Sequence, residues 1–455
     1  MSEGLLQIER IDACEQDVIE QLVELRRRLS HRGDVVSDES RERTIEVFGE
    51  PLAPAQVVER ICQRVRDEGL DAVLEYGRLL DRAELDSDSL RVGPDEIARA
   101  HAQASDDFLA TIRRIRKNIQ RFQTAILHSD VTIERGEGVE LTQRYLPVKR
   151  AGLCIPGGAA AYPSSLLMTA VPAQAAGVEE LVVIAPPTPF GANNPDLLAV
   201  CGELGIEEVY RLGGAHGVAT LAYGVEGIAP VDIIVGPGNL FVALAKKYVF
   251  GDVAIDSIAG PSEVVVIADE STRPDYAAAD LLAQAEHAPG ASILVSWSEE
   301  VLQQTYEQLC RQVVSLSRSD LIIQSLEQYG ALVLVRDAEQ ACQVTNMIAP
   351  EHLHIATDDP QPLLDQIQHA GATFLGNYSP VALGDYVAGP SHVLPTGGTA
   401  RWSAGLSANT FLKSRSVIHY SQDALSRVAG ELKMMTEIEG LTAHWASIDV
   451  RLEGK

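Results

Sequence analysis

Through the first 130 residues apolar positions recur at three- and four-residue spacing, as in Val57-Val58-Glu59-Arg60-Ile61 and across 108–122. That is the period of helices with one buried face. From 131 the pattern shortens: Val131-Thr132-Ile133 and Glu140-Leu141-Thr142 predict short strands before a linker, Pro147-Val148-Lys149-Arg150. Beyond it, apolar runs alternate with helical stretches. Strands are expected at Gly152-Leu153-Cys154-Ile155, Leu181-Val182-Val183-Ile184-Ala185, Glu208-Val209-Tyr210 and Asp232-Ile233-Ile234-Val235, with helices over 166–176, 197–204 and 218–223 between them. Such alternation predicts a parallel sheet covered on both faces. A second α/β region follows, with strands at Glu263-Val264-Val265-Val266-Ile267-Ala268, 292–296 and 331–335 and a helix over 276–287. The last fifty residues carry one expected helix, 431–439, and little apolar mass of their own, as befits a tail that docks on a second subunit.

Composition narrows the function classes. A chain of 455 residues with 46% hydrophobic content exceeds one ordinary core and predicts two or more folded domains. With 37 basic against 64 acidic residues the formal charge is −27, which disfavours nucleic-acid binding. The six cysteines (Cys14, Cys62, Cys154, Cys201, Cys310 and Cys342) show no C-x-x-C pair and read as reduced thiols of a cytoplasmic protein. The charged first thirty residues predict no signal peptide. The uncharged stretch 151–178 has the length of a membrane span, but Pro156, Pro163 and Pro172 with Gly157 and Gly158 would leave backbone groups unpaired in lipid. A buried turn and packed helix are expected there instead.

Candidate chemistry is scattered. Gln284 and His287 are three apart in a helical stretch, so one face can offer an amide oxygen and an imidazole to a metal, or hold a solvated or core pair. Glu351-His352 follows Pro350, where a loop is expected to begin, and supplies two groups suited to proton transfer. Asp385 lies in Gly384-Asp385-Tyr386, read as a glycine-flanked turn, and His444 closes Glu439-Gly440-Leu441-Thr442-Ala443-His444. Three expected strand ends carry glycine turns, Pro156-Gly157-Gly158, Gly213-Gly214 and Gly236-Pro237-Gly238-Asn239, placed where open parallel sheets bind ligands. No G-x-G-x-x-G fingerprint accompanies them, so they permit a dinucleotide without requiring one.

Taken together, 145–444 resembles the histidinol dehydrogenase family. The matching segments are Ala259-Gly260-Pro261-Ser262-Glu263-Val264, Gln284-Ala285-Glu286-His287, Ala349-Pro350-Glu351-His352-Leu353, Gly384-Asp385-Tyr386 and 439–444. The resemblance implies one Zn2+ per subunit on Gln284, His287, Asp385 and His444, with His444 given across a homodimer whose active site is shared. It implies oxidation of L-histidinol through histidinaldehyde to L-histidine with two NAD+, the last steps of histidine biosynthesis. His352 would be the base for the first oxidation, and Glu351 would activate water for the second. Ser262, Gln284, His287, His352, Asp385, Glu439 and His444 match substrate-contacting positions.

Cys154, His216 and Asn239 match nucleotide contacts. Two of them depart from the family's usual pattern, Cys154 standing for a Tyr and His216 for a Gln. A catalytic thiol at Cys154 is the less natural reading, because an apolar strand favours a small buried hydrophobe. The fold expected is α/β, two Rossmann-like parallel-sheet domains without the usual dinucleotide fingerprint, plus helical N-terminal and C-terminal extensions. Its expected divisions are 1–46 as N-terminal helical extension, 47–150 with 263–404 as a discontinuous domain carrying metal and catalytic residues, 151–262 as the nucleotide side, and 405–455 as a dimerisation tail. Neither nucleic acid nor membrane is expected as a partner. Other readings are a related zinc-dependent dehydrogenase of another polar primary alcohol, a zinc hydrolase using Glu351 on metal-bound water, and a non-catalytic binding protein.

Overall fold

A computed structural model describes residues 6–14, 21, 24, 38–158, 160–258, 260–287 and 290–452. With strands numbered in chain order, β1 is Glu9–Asp12, β2 Val131–Glu134, β3 Val139–Pro147, β4 Arg150–Cys154, β5 Glu180–Ala185, β6 Glu208–Arg211 and β7 Ile233–Val235. They continue as β8 Ala254–Ile255, β9 Ser262–Ala268, β10 Gly290–Ser296, β11 Ala331–Leu334, β12 His352–Ile355, β13 Ala372–Leu375 and β14 Leu412–Tyr420. Two parallel sheets result, of order β6-β5-β4-β7-β8 and β1-β11-β10-β9-β12-β13. A third, antiparallel sheet runs β14-β3-β2.

The parallel sheets are buried on both faces, which is why their strands read as unbroken apolar runs. In β9, Val264 and Val266 pack with Ala277, Ala278 and Leu281 of helix Pro274–Ala285. Val265 and Ile267 point the other way, onto Ala341, Val344 and Ile348 of helix Ala338–Ile348. Each such side chain is worth roughly 1.5–3 kcal/mol when fully buried, so the register of β9 is firmly set. The uncharged stretch after 151 becomes β4, a turn and helix Pro163–Ala176, and among the described residues no helix is long and apolar enough to cross a membrane.

The helical region before 131 packs differently from the expected grouping of 47–150 with 263–404. Val57, Ile61 and Val65 of helix Pro54–Glu68, with Val73 and Tyr76 of helix Leu70–Leu80, share a core with Val182, Ile184 and Val218 beside the β4–β8 sheet. On its other face, Ile97, Ala100, Ile112 and Ile119 pack with Leu153, Leu166 and Val209. The 54–125 helices therefore complete the two layers around 151–262. Apolar periodicity shows that a helix has a buried face but not which sheet that face meets.

Several elements differ from expectation for physical reasons. Within 1–46, the described residues include β1, a strand that pairs with β11 more than 300 positions away and leaves no local helical or hairpin signal. The rest of that extension lies outside the described residues, except positions 6–8, 13, 14, 21 and 24 and the start of helix Asp38–Phe48. His352 opens strand β12 and not a loop, and Asp385 sits in a short helix, Ala382–Tyr386, and not a turn. The C-terminal helices Ala429–Ile438 and Thr442–Asp449 bury none of their residues in this chain.

The glycine turn after β7 is a tight point of the β4–β8 sheet. Gly236 has φ 110°, and a Cβ there would strike the carbonyl oxygen of Cys154. Its N–H donates to Asp256 Oδ2 at 2.7 Å, and its carbonyl accepts from Lys246 Nζ at 3.0 Å. Lys246 also forms an ion pair with Asp256, both side chains being buried. Gly236→Ala is expected to destabilise the fold by more than ~1 kcal/mol. Gly158→Ala, whose Cβ meets nothing within 4 Å, serves as the control and is expected to stay within about 0.5 kcal/mol. Urea unfolding of both variants checks this.

Candidate functional site

The catalytic candidates assemble where β9 and β12 begin. These strands pair in register His352↔Val264, which sets Glu351 beside Ser262 and Glu263. Ser262 Oγ donates to Glu351 Oε2, and the Glu263 N–H donates to the same oxygen at 3.3 Å. Reciprocally, the Glu351 N–H donates to Glu263 Oε1 at 3.1 Å, and Gly397 N–H donates to both Glu263 oxygens at 2.8 and 3.1 Å. Both carboxylates are buried. Burial, and then the nearness of Glu263, hold the Glu351 carboxyl well above the usual carboxylate range.

Backbone strain marks the approach to this pair. Ala349, which ends helix Ala338–Ile348, is left-handed at φ 54° and precedes Pro350. A non-glycine residue held so costs on the order of 1–3 kcal/mol, and the turn it makes delivers Glu351 to the start of β12. Next to it, His352 Nδ1 lies 3.7 Å from Glu351 Oε2. Burial, followed by the positive potential of His287 and His392, pushes the His352 imidazole down to about 3. It is therefore neutral at pH 7, the form a proton acceptor needs. His352 lines a cavity of about 610 Å³ together with Phe374, Gly384 and His392.

Of the four metal candidates, His287 acts electrostatically on His352, Asp385 acts on Glu351, and Gln284 lies one helical turn before His287. Gln284 lies in the last turn of helix Pro274–Ala285, is 3% exposed, and its side-chain nitrogen has no partner. His287 is exposed just past that helix, its N–H donating to Gln284 O at 3.2 Å. Asp385 is half-buried; burial raises its proton affinity, and His392 and His287 oppose the rise. A carboxylate with too little compensating charge, beside an orphaned amide and an imidazole, has the donor chemistry of a divalent-cation site. Gly384 fixes its approach, because a Cβ there would stand 2.6 Å from the Phe374 ring. Among the described residues, no group of three or more His, Cys, Asp or Glu side chains is placed to hold a metal by itself.

Two candidates are not brought to the pocket. Glu439 and His444 are exposed on the C-terminal tail, and neither is among the charges acting on Glu351, His352 or Asp385. The structure adds Glu263 and His392, which the sequence reading passed over. His392 Nδ1 lies 3.1 Å from the Asp385 carbonyl oxygen and its Nε2 3.2 Å from Ser165 Oγ. A Ser-His pair after Gly-Pro was the only signal for His392. Glu263 looked like the polar start of an apolar strand.

The three nucleotide candidates share a different cavity. Cys154, His216 and Asn239 all line a space of about 530 Å³ at the carboxyl ends of β4 to β7, walled by all three glycine turns. This is the expected ligand side of an open parallel sheet. The proton-transfer residues stand instead at the amino ends of β9 and β12. Asn239 caps helix Leu240–Val249, its side-chain oxygen accepting from the N–H groups of Phe241 and Val242 at 3.1 Å. The Cys154 thiol is pushed up to about 12 by burial, as a packing residue and not a nucleophile.

Comparison with known proteins follows this geometry. The sequence profile of the family described as Histidinol dehydrogenase matches residues 51–452. The chain is 58% identical over 442 residues to a histidinol dehydrogenase of Rhodopirellula baltica, covering 97% of this chain and 96% of that one. It is 47% identical over 394 residues to that of Geobacillus kaustophilus, covering 86% and 92%. The crystal structure of histidinol dehydrogenase from Elizabethkingia anophelis superposes with TM-score 0.88 at 32% identity over 98% of each chain.

The buried carboxylates make stability depend on pH in a predictable direction. Burial raises Glu263 from its ordinary 4.5 to about 7. The native state therefore holds an extra proton between those values; the stabilisation it brings is complete below the unfolded value and lost as pH rises through the folded one. Glu263→Gln removes this contribution. Its deficit against the unaltered protein is expected to shrink as pH rises from about 5 to about 8, read as the difference in urea midpoints.

Proposed function

This chain belongs to the histidinol dehydrogenase family, and on that premise we propose that it oxidises L-histidinol through histidinaldehyde to L-histidine with two NAD+. The observation that carries this reading is the Ser262–Glu351–His352 arrangement, beside Gln284, His287 and Asp385 and separate from a glycine-walled nucleotide cavity. NAD+, when bound, accepts hydride, and the N-termini of helices Gly214–Tyr223 and Leu240–Val249 suit its phosphates.

His352 takes the alcohol proton in the first oxidation. An imidazole held so far down accepts it reluctantly; its Nδ1 lies 3.7 Å from Glu351 Oε2. Glu351 then takes a proton from the water that adds to the aldehyde. Its raised proton affinity makes the ionised carboxylate a stronger base than an ordinary glutamate. Ser262 orients that carboxylate through its hydrogen bond.

One Zn2+ per subunit would be held by Gln284, His287 and Asp385, with His444 of the partner subunit as fourth ligand, and would serve as a Lewis-acid template for the substrate's imidazole and amine. Support for the shared site comes from the tail, whose two helices bury no residue and expose Met434, Met435 and Ile438. Glu439, five positions before His444, would bind the substrate's ammonium group. The absence of disulfides among the described cysteines fits a cytoplasmic enzyme.

Purified protein given L-histidinol and NAD+ is expected to yield two NADH per substrate, with activity lost on chelation and regained with zinc. Turnover of another primary alcohol in preference to L-histidinol would overturn the substrate assignment. Glu351→Gln is expected to slow oxidation of supplied histidinaldehyde by ~10²–10⁴-fold and the alcohol step far less. Stopped-flow NADH absorbance separates the two steps.

A further inference from the structure

We infer that Asp81 is the residue by which this chain takes NAD+ and refuses NADP+, by accepting the hydroxyls of the adenosine ribose. The inference rests on the cavity of Cys154, His216 and Asn239 being the nucleotide seat. Asp81 lines that cavity, as does His216, which is 1% exposed. Asp81 Oδ2 lies 3.3 Å from His216 Nε2 without the alignment of a hydrogen bond. Asp81 Oδ2 and both ring nitrogens of His216 are buried and make no hydrogen bond, Oδ2 and Nε2 facing only each other. Most buried polar atoms in folded proteins are hydrogen-bonded, so three without a hydrogen bond in a single cavity wall leave capacity for a ligand with matching polar groups.

Charge identifies that ligand. Among the described residues lining the cavity, Asp81 is the one carboxylate and none is Lys or Arg. An ionised carboxylate only accepts, and a ribose diol offers two O–H donors to it. A 2′-phosphate would instead bring about two negative charges against a carboxylate that no cation among the described lining residues offsets. The same wall thus binds one dinucleotide and repels the other.

The chain holds Asp81 in place for this. Helix Leu70–Leu80 ends at Asp81, whose N–H donates to the Gly77 carbonyl oxygen at 3.1 Å, and Ala83 N–H donates to the same oxygen at 3.2 Å. Between them Arg82 is left-handed at φ 55° and exposed. That strained turn stops the helix and leaves the Asp81 carboxylate at the cavity wall.

Fluorescence titration of the full chain with NADH and with NADPH, without alcohol substrate, tests the inference. The unaltered protein is expected to bind NADH at least about tenfold more tightly than NADPH, and Asp81→Asn to weaken NADH about tenfold and erase the preference. Asp81→Glu, which keeps the charge, is expected to restore discrimination against NADPH. Equal binding of both dinucleotides by the unaltered protein overturns the inference, with no variant required. So does a folded Asp81→Asn that keeps the full preference. Failure to oxidise L-histidinol would sink the proposed activity and leave this binding result standing.

Discussion

Two carboxylates kept out of water at the shared edge of β9 and β12 set the terms for the rest of the site. Glu263 and Glu351 are adjacent, buried and joined by reciprocal backbone hydrogen bonds, so each fixes the strand that carries the other. Desolvation of a charged group is costly unless hydrogen bonds compensate. Glu263 meets that cost with N–H donors from Glu351 and Gly397, and Glu351 meets it with Ser262 and the N–H of Glu263. The remaining imbalance appears as raised proton affinity, the property a general base requires. The bonds that fix the two strands are therefore the same ones that set the proton affinity of the Glu351 carboxyl.

A buried ion pair one strand position beyond extends this rigidity. His354 Nδ1 meets Asp280 Oδ2 at 2.7 Å, and its Nε2 lies 2.9 Å from the Gly376 carbonyl oxygen. Asp280 is one helical turn before Gln284, His354 two residues after His352, and Gly376 follows β13 on the way to Asp385. One imidazole thus ties together the helix, strand and connection that carry the main polar side chains. Breaking one member of such a pair is far more damaging than its net worth suggests, because it strands the other.

The two parallel sheets divide the work between opposite ends. The β4–β8 sheet offers the carboxyl ends of its strands to the glycine-walled cavity, and the β9–β13 sheet offers the amino end of β12 to the pocket lined by His352. The connection from β8 to β9 covers only 256–261, anchored by Asp256 at one end and by Gly260 N–H donating to Thr396 Oγ1 at 2.6 Å at the other. That short connection joins the sheet whose strand ends wall one cavity to the strand that opens with Ser262.

Much of this was legible in the chain. Strands β4, β5, β9 and β10 announced themselves because both faces are buried, and the glycine turns marked the cavity that Cys154, His216 and Asn239 share. By contrast β12, His352-Leu353-His354-Ile355, carries two imidazoles and reads as a strand only once β9 and β13 flank it. The polar β14 is nearly all exposed and depends on pairing with β3, and β1 on pairing with β11. Which residue types could do chemistry, and the family they belong to, was therefore determined by the sequence, since motif order and apolar period are properties of the linear chain. Which sheet the 54–125 helices cover, how Glu263 meets Glu351, and where Asp81 faces were decided only by tertiary structure. Those outcomes depend on removing water from groups far apart in the chain, and no local pattern records which partner will replace it.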